Sequence, residues 1–173
     1  MPPALEHHRE QERSDSCVAA CLGIVLAWRG QPVEESELHE DAGAALRFAA
    51  RRLGEPYQVP DTADLLRKAP LWFAEDRALL ITVFGPRYVK RLTTRPGGLP
   101  SRHGNLAPSG DYVAPLHAVV LVGQDDEDFL LLDPYYPAQG QPLRISADDL
   151  VEVFTGELIV CSRGPAPSPA PGP

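Results

Sequence analysis

No apolar run in this sequence is long enough to cross a membrane: the longest, residues 18–28, is much shorter than the roughly 20 residues that a spanning helix needs. The sequence also lacks an excess of basic residues, since its formal net charge is −8. Binding to nucleic acid or to an anionic membrane surface depends on clustered lysine and arginine, so we expect neither. The sequence predicts a cytoplasmic protein without a membrane segment, whose acidic charge is compatible with a cationic peptide partner.

Cysteine is scarce as well. The three cysteines, at positions 17, 21 and 161, are too few for a disulfide framework, and residues 1–10 do not have the pattern of a secretory leader. Cys17, Cys21 and His117 could together contribute metal ligands, but no fourth ligand with suitable spacing accompanies them. We therefore expect neither a metal nor a cofactor.

The length of 173 residues and the apolar and charged fractions of 43% and 23% suit one globular domain. The polar start predicts a flexible N-terminus over residues 1–10. Alternating proline, alanine, serine and glycine predict a disordered tail over residues 163–173. Residues 11–162 remain as the folded domain, and nothing in its sequence predicts an oligomeric state.

Hydrophobic periodicity predicts helices first and strands second. The predicted helices span residues 15–29, 36–53, 61–68 and 146–154, and Gly43 allows a break in the second. The predicted strands span residues 78–84, 117–123, 129–133 and 158–162. Residues 85–115, rich in glycine, proline and arginine, predict a long loop that could include a short strand at 88–92. Helices followed by antiparallel strands predict an α+β fold.

Cys17 stands where a thiol can become reactive. The residues before it are polar, and an apolar helix begins at this position, with Asp15 or Ser16 as its predicted N-cap. Backbone N–H groups at a helix N-terminus favour an anion, so the position favours the thiolate form of Cys17. Gln11, six positions upstream, offers a neutral amide donor on the same loop.

A histidine and an aspartate flank the predicted hairpin. His117 begins one strand, and Asp133 ends the next after a short acidic turn. Because the start of the first strand of a hairpin lies beside the end of the second, Asp133 can accept a hydrogen bond from one ring nitrogen of His117. The other nitrogen can then face Cys17. These are the nucleophile, base and orienting acid of covalent catalysis.

These residues and their spacing resemble the papain-like cysteine peptidases, and more narrowly the bacterial double-glycine-leader (bacteriocin-processing) peptidases and their stand-alone relatives. One shared motif is Gln-x5-Cys, here Gln11 and Cys17, followed by an apolar Ala-Cys-Leu helix; the other is the hairpin from His117 to Asp133-Pro134. The resemblance spans about residues 11–160. It implies a papain-like fold, in which an N-terminal helical part packs on a C-terminal antiparallel β-sheet.

The resemblance also implies a function and a set of roles. Cys17 would be the nucleophile, His117 the general base and acid, and Asp133 the residue that holds the imidazole. Gln11 would donate to the oxyanion together with the backbone N–H of Cys17. The implied substrate is a peptide or small protein cleaved through an acyl-thioester, including a leader peptide cleaved after Gly-Gly.

Substrate contacts are predicted at Val18, His103 and Tyr135. The family commonly has glycine after the nucleophile, so Val18 is expected to narrow the cleft or to alter the approach of substrate. No transporter or ATPase domain follows, and we expect a stand-alone enzyme instead of a fused exporter. Two alternatives stay open: a catalytically inactive peptide-binding relative, and an acyltransferase or isopeptidase on the same scaffold.

Overall fold

The computed structural model of the protein describes residues 5–13, 15–42, 45–93 and 115–164. The predicted substrate contact His103, most of the predicted loop 85–115 and most of the predicted tail lie outside these residues. The predicted domain boundaries at residues 10 and 162 stay predictions.

The described residues form six α-helices, one short 3-10 helix and six strands. The helices are the 3-10 turn Leu5–His7, α1 Cys17–Trp28, α2 Glu35–Ala42, α3 Leu46–Leu53, α4 Thr62–Ala74, α5 Gly85–Thr93 and α6 Ala147–Val153. The strands are β1 Tyr57–Gln58, β2 Ala78–Phe84, β3 Leu116–Asp125, β4 Asp128–Leu132, β5 Leu143–Ser146 and β6 Phe154–Cys161. All strand pairs are antiparallel and the order is β1-β6-β2-β3-β4-β5, which confirms the predicted α+β class.

The first helix is the centre of the fold. Eleven of the twelve residues of α1 are buried, which explains why it is apolar on every face. Its N-cap residue is Ser16, as predicted, but the Ser16 hydroxyl does not cap the helix. It bonds instead to the backbone of Arg13, so this side chain does not occupy the N–H groups beside Cys17.

The predicted helix over residues 36–53 is two helices, α2 and α3, and Ala45 before α3 has an extended backbone. Gly43, the glycine at which the sequence allowed a break, lies outside the described residues. The predicted helix over residues 61–68 is capped by Asp61, whose Oδ1 accepts from the backbone N–H of Asp64 at 2.7 Å. It continues to Ala74, six residues beyond the predicted end.

The predicted loop over residues 85–115 is wrong at its start, because residues 85–93 form α5. Tyr88, Val89 and Leu92 are buried there, at the spacing of one helix face. Gly85 and Pro86 at the beginning made the segment resemble a loop, although proline is well tolerated in the first turn of a helix.

The sheet has a core on each face. Alternate residues of β3 show the division: Ala118 and Val120 belong to the core that contains α1, whereas Val119 and Leu121 belong to the core that contains α4, α5 and α6. The sheet therefore separates α1 from α4, α5 and α6. Side chains from both faces of the sheet can approach the end of the central strand β3 at which it begins. Among the described residues, no helix is both long and apolar enough to span a membrane.

Candidate active site

His117 and Asp133 lie side by side at one end of the β3–β4 hairpin, where β3 begins and β4 ends. The Nε2 atom of His117 lies 2.7 Å from Oδ1 of Asp133, and the two side chains are 1% and 0% exposed. The β3–β4 hairpin therefore brings the pair together as its antiparallel geometry predicts. In this buried setting a charge-assisted hydrogen bond is strong, because water does not compete for it.

Asp133 is held in place by further hydrogen bonds. The Tyr88 hydroxyl donates to Oδ2 at 2.8 Å, and the backbone N–H of Tyr135 donates to Oδ1 at 2.8 Å. The backbone of Asp133 is in turn bonded to the side-chain amide of Gln141 in both directions, at 3.2 Å. A carboxylate fixed in this way can impose one orientation on the imidazole.

Two tyrosine rings enclose His117. The Tyr88 ring centroid lies 5.9 Å from that of the imidazole, and the Tyr135 ring lies 6.0 Å away in an edge-on arrangement. Tyr135 is only 1% exposed. This predicted substrate contact packs against the imidazole and does not line the cavity beside Cys17.

The electrostatics of the site favour a protonated imidazole. Burial opposes the charge on His117, but the Asp133 carboxylate and hydrogen bonds to Asp133 and Cys17 outweigh it and raise its pKa to about 10. Since Nε2 faces Asp133, the ring nitrogen that remains for Cys17 is Nδ1. His117 therefore bridges a thiol and a carboxylate.

Cys17 differs from the other two cysteines. It begins α1, is 9% exposed and lines a cavity together with His117. Cys21 and Cys161 are fully buried, and burial raises the pKa of Cys21 well above its ordinary value and that of Cys161 to about 12. These two thiols are core side chains, whereas Cys17 opens onto the site.

Gln11 lies on the loop that leads into α1. Its side chain is buried, and its Nε2 donates to the carbonyl of Arg13 at 2.8 Å, so the amide is held by its own loop. The loop is tied to the hairpin as well, because the backbone N–H of Gln11 donates to Pro134 O at 2.7 Å. Gln11 is thereby fixed near the two other parts of the site, although it does not line the cavity.

Glu35 anchors this loop from the other side. Its carboxylate is fully buried, and Oε1 and Oε2 accept from the backbone N–H of Glu12 at 3.1 and 3.2 Å. Nε2 of His39 lies 3.1 Å from Oε1 of the same carboxylate. Ligand atoms of Glu12, Glu35 and His39 lie within 4.8 Å of one another, close enough for a metal ion, but these hydrogen bonds account for their closeness.

The cavity beside Cys17 has a volume of about 160 Å³. The predicted substrate contact Val18 is one of its walls. The lining residues are Cys17, Val18, Ala45, Thr82, Leu116, His117, Ala118 and Glu157. Four of these eight residues are apolar, and the other four supply a thiol, an imidazole, one hydroxyl and one carboxylate.

Sequence reasoning did not find Tyr88, Glu35 or Glu157. For Tyr88, the helical spacing of Tyr88, Val89 and Leu92 in the sequence could have indicated a buried helix face. A single glutamate within an acidic stretch gives no signal for Glu35, and the same holds for Glu157 on an apolar strand.

Comparison with protein-family models and with curated proteins finds no match. Solved structures do match. A C39-like peptidase from Bacillus anthracis is 13% identical, with a TM-score of 0.58 over 91% of this chain and 95% of that chain. The peptidase domain of Streptococcus ComA, a bifunctional ABC transporter of a quorum-sensing pathway, is 15% identical, with a TM-score of 0.55 over 90% and 98%.

The chain has the fold of the C39-like peptidases. A double-glycine-motif protease from an AMS/PCAT transporter, solved in complex with the leader peptide, is 20% identical, with a TM-score of 0.41 over 88% of this chain and 89% of that chain. The predicted papain-like fold is thus confirmed by the two C39 structures with the higher TM-scores. Identities this low establish the fold and leave the reaction to be argued from the site.

Proposed function

We propose that this chain is a papain-like cysteine peptidase that cleaves a peptide or small protein through an acyl-thioester on Cys17. The observation that carries the proposal is the placement of His117 between Cys17 and Asp133, with a 2.7 Å bond to the carboxylate. A core histidine needs neither a thiol at a cavity wall nor a buried carboxylate. Nucleophilic catalysis needs both.

The reaction begins with the ion pair of thiolate and imidazolium. The Cys17 sulfur attacks the carbonyl carbon of the scissile peptide bond, and the electron pair of the C=O bond moves to the oxygen. As the tetrahedral intermediate collapses, His117 gives its proton to the leaving amine and the acyl group remains on sulfur as a thioester. His117 then takes a proton from water, which attacks the thioester and releases the acid and Cys17.

Two donors are assigned to the oxyanion. The side-chain amide of Gln11 and the backbone N–H of Cys17 come from the same loop-to-helix junction, and neither carries a charge that would disturb the thiolate. A donor fixed before the reaction stabilises the transition state more than one that must be ordered during it. The hydrogen bonds that hold the Gln11 loop to Pro134 and Glu35 support this role.

The proposed cleavage position follows a small residue, as in a leader peptide that ends in Gly-Gly. Val18, Ala45 and Ala118 line the cavity beside the nucleophile. Because Val18 is β-branched and rigid, it narrows the cavity and favours glycine or a slender, unbranched side chain over a bulky or branched one.

A direct test incubates the purified chain with synthetic leader peptides that contain Gly-Gly and identifies the products by mass spectrometry. Cleavage after the second glycine, lost in Cys17→Ala and retained in the matched variant Cys21→Ala, is the expected result. Adding a primary amine distinguishes acyl transfer, since an amide adduct would then replace the free acid. Cleavage by Cys17→Ala would overturn the assignment of the nucleophile, and binding without any product would favour a binding-only protein.

A further inference from the structure

The carboxylate in the cavity belongs to Glu157 on β6. It lies on the sheet face that carries α1, beside Thr82 of β2, which pairs in register with Ala118 of β3. Three neighbouring strands thus form one side of the cavity, and Cys17 and Val18 stand across from them. A ligand group that enters the cavity meets the nucleophile and this carboxylate together.

Two neutral donors fix the Glu157 side chain. The Thr82 hydroxyl donates to Oε2 at 2.8 Å, and the Tyr57 hydroxyl donates to Oε1 at 2.7 Å. Thr82 Oγ1 also has a close contact with Thr155 Oγ1. Each carboxylate oxygen therefore has a hydrogen-bond partner on the protein, which holds the group in one position.

The charge of Glu157 has no ionic partner in the described part of the chain, where its bonds go to the two hydroxyl groups alone. Arg47, an exposed residue of α3, is a cation whose charge reaches this network. It acts on Tyr57, whose pKa is raised by the hydrogen bond to Glu157 and lowered by Arg47. The other charged group of the cavity wall, His117, is bonded to Asp133. A partly buried carboxylate that lacks an ionic partner is stabilised when a cation reaches it.

We propose that Glu157 selects peptides that carry a lysine or arginine side chain next to the cleaved bond. The inference rests on the proposed function, because the cavity is taken to be part of the cleft that receives the peptide. The aliphatic stem of the basic residue lies against Val18, Ala45 and Ala118, and its cationic end reaches the Glu157 carboxylate. Long basic side chains commonly bury the stem in this way while the charge finds a polar partner.

The experiment measures binding without turnover. The probes are alanine-based peptides with one Gly-Gly pair, in which a single lysine is moved through the flanking positions. Matched peptides carry norleucine, which keeps the aliphatic stem and lacks the ammonium group. Dissociation constants for the Cys17→Ala chain are measured with and without Glu157→Gln, and with Glu127→Gln as the matched control, since Glu127 is exposed on the β3–β4 turn.

At one position, lysine is expected to bind about tenfold or more tightly than norleucine, in line with a hydrogen bond to a charged group. The preference should disappear in Glu157→Gln, persist in Glu127→Gln and weaken at high salt. Equal binding of the two peptides at every position would overturn the inference. A lysine preference that persists in Glu157→Gln would overturn it too. Thermal unfolding confirms that each variant is folded.

Turnover of the same peptides by the intact chain separates this inference from the proposed function. If lysine and norleucine peptides are cleaved with equal kcat/KM, the peptidase assignment stands and the role of Glu157 fails. If no peptide is cleaved while the Glu157-dependent preference in binding persists, the role of Glu157 stands and the peptidase assignment fails.

Discussion

The backbone N–H of Gln11 donates a 2.7 Å hydrogen bond to the carbonyl oxygen of Pro134, the residue after Asp133. This one bond joins the loop before the nucleophile to the hairpin that carries the histidine and the aspartate. Glu35 holds the same loop through the backbone N–H of Glu12. The proposed oxyanion donor therefore has a fixed place before substrate arrives. That placement can be tested by changing Gln11 itself and by changing Glu35, which anchors its loop.

Replacing Gln11 by alanine is expected to lower kcat/KM by about a hundredfold or more, which is the usual effect of losing one oxyanion donor. Gln31→Ala is the matched control, since Gln31 is exposed at the end of α1. Steady-state cleavage of the best leader peptide measures both. A Gln11→Ala chain with normal kcat/KM would exclude this residue from the oxyanion site.

Glu35→Gln should weaken the anchor of the loop, because a neutral amide accepts less strongly than a carboxylate. We expect kcat to fall by about tenfold while KM changes little, since a donor to the transition state is misplaced and peptide binding is not. Glu37→Gln, on the same helix and exposed, is the control. A purely structural role would instead lower the melting temperature and leave kcat per folded molecule unchanged.

Cys17 should be alkylated selectively at neutral pH by a limited amount of iodoacetamide, as mapped by peptide mass spectrometry. Cys21 and Cys161 are buried, and their raised pKa values keep them as thiols. Replacing His117 by alanine should slow the labelling of Cys17, whereas His7→Ala should not. Equal and slow labelling of all three cysteines would contradict an activated Cys17.

The pH dependence should have its alkaline limb near pH 10. His117 has a pKa raised from 6.5 to about 10, so the proton for the leaving amine is lost only as the pH rises through about 10. The folded state also binds this proton more tightly than the unfolded chain. The contribution of His117 protonation to the free energy of unfolding is therefore complete below pH 6.5 and is lost as the pH rises through about 10. A fall of kcat/KM near pH 7 would contradict the ion pair.

Tyr88→Phe removes the hydroxyl that donates to the buried Asp133. Leaving a buried acceptor without this donor should lower the free energy of unfolding by about 1–3 kcal/mol, measured by urea denaturation. Tyr57→Phe is the contrasting variant, since Tyr57 is exposed and also donates to a carboxylate, and it should change the stability by less than about 0.5 kcal/mol. Equal changes in the free energy of unfolding for the two substitutions would show that the burial of Asp133 does not increase the cost of losing its donor.

The sequence predicted the parts of the site that depend on local pattern. Cys17 was found because an apolar helix starts there, and the His117–Asp133 pair because a short turn makes two strands antiparallel neighbours. The catalytic roles of these residues stay predictions until activity is measured. Tyr88 was not predicted as part of the site, because Gly85 and Pro86 at the start of its helix are residues typical of a loop.

Contacts between distant segments could not be read from the sequence. The bond from Thr82 to Glu157 joins positions 75 apart in sequence, and the bond from Tyr57 to Glu157 joins positions 100 apart. They exist because β6 lies between β1 and β2, and an alternating apolar strand does not specify its neighbours. The strand β5 was not predicted for a different reason, since its four residues follow a proline and are too few to establish a period.

The place of β6 in the sheet has a consequence for the order of events during biosynthesis. The last of the described strands, β6, lies between the first two, so a growing chain holds an unfinished sheet until about residue 161 has left the ribosome. Cys17 is made early, yet its surroundings are completed last. The nascent chain therefore carries Cys17, His117 and Asp133 before β6 has joined the sheet, and the β6 side of the cavity, with Glu157, is added after them.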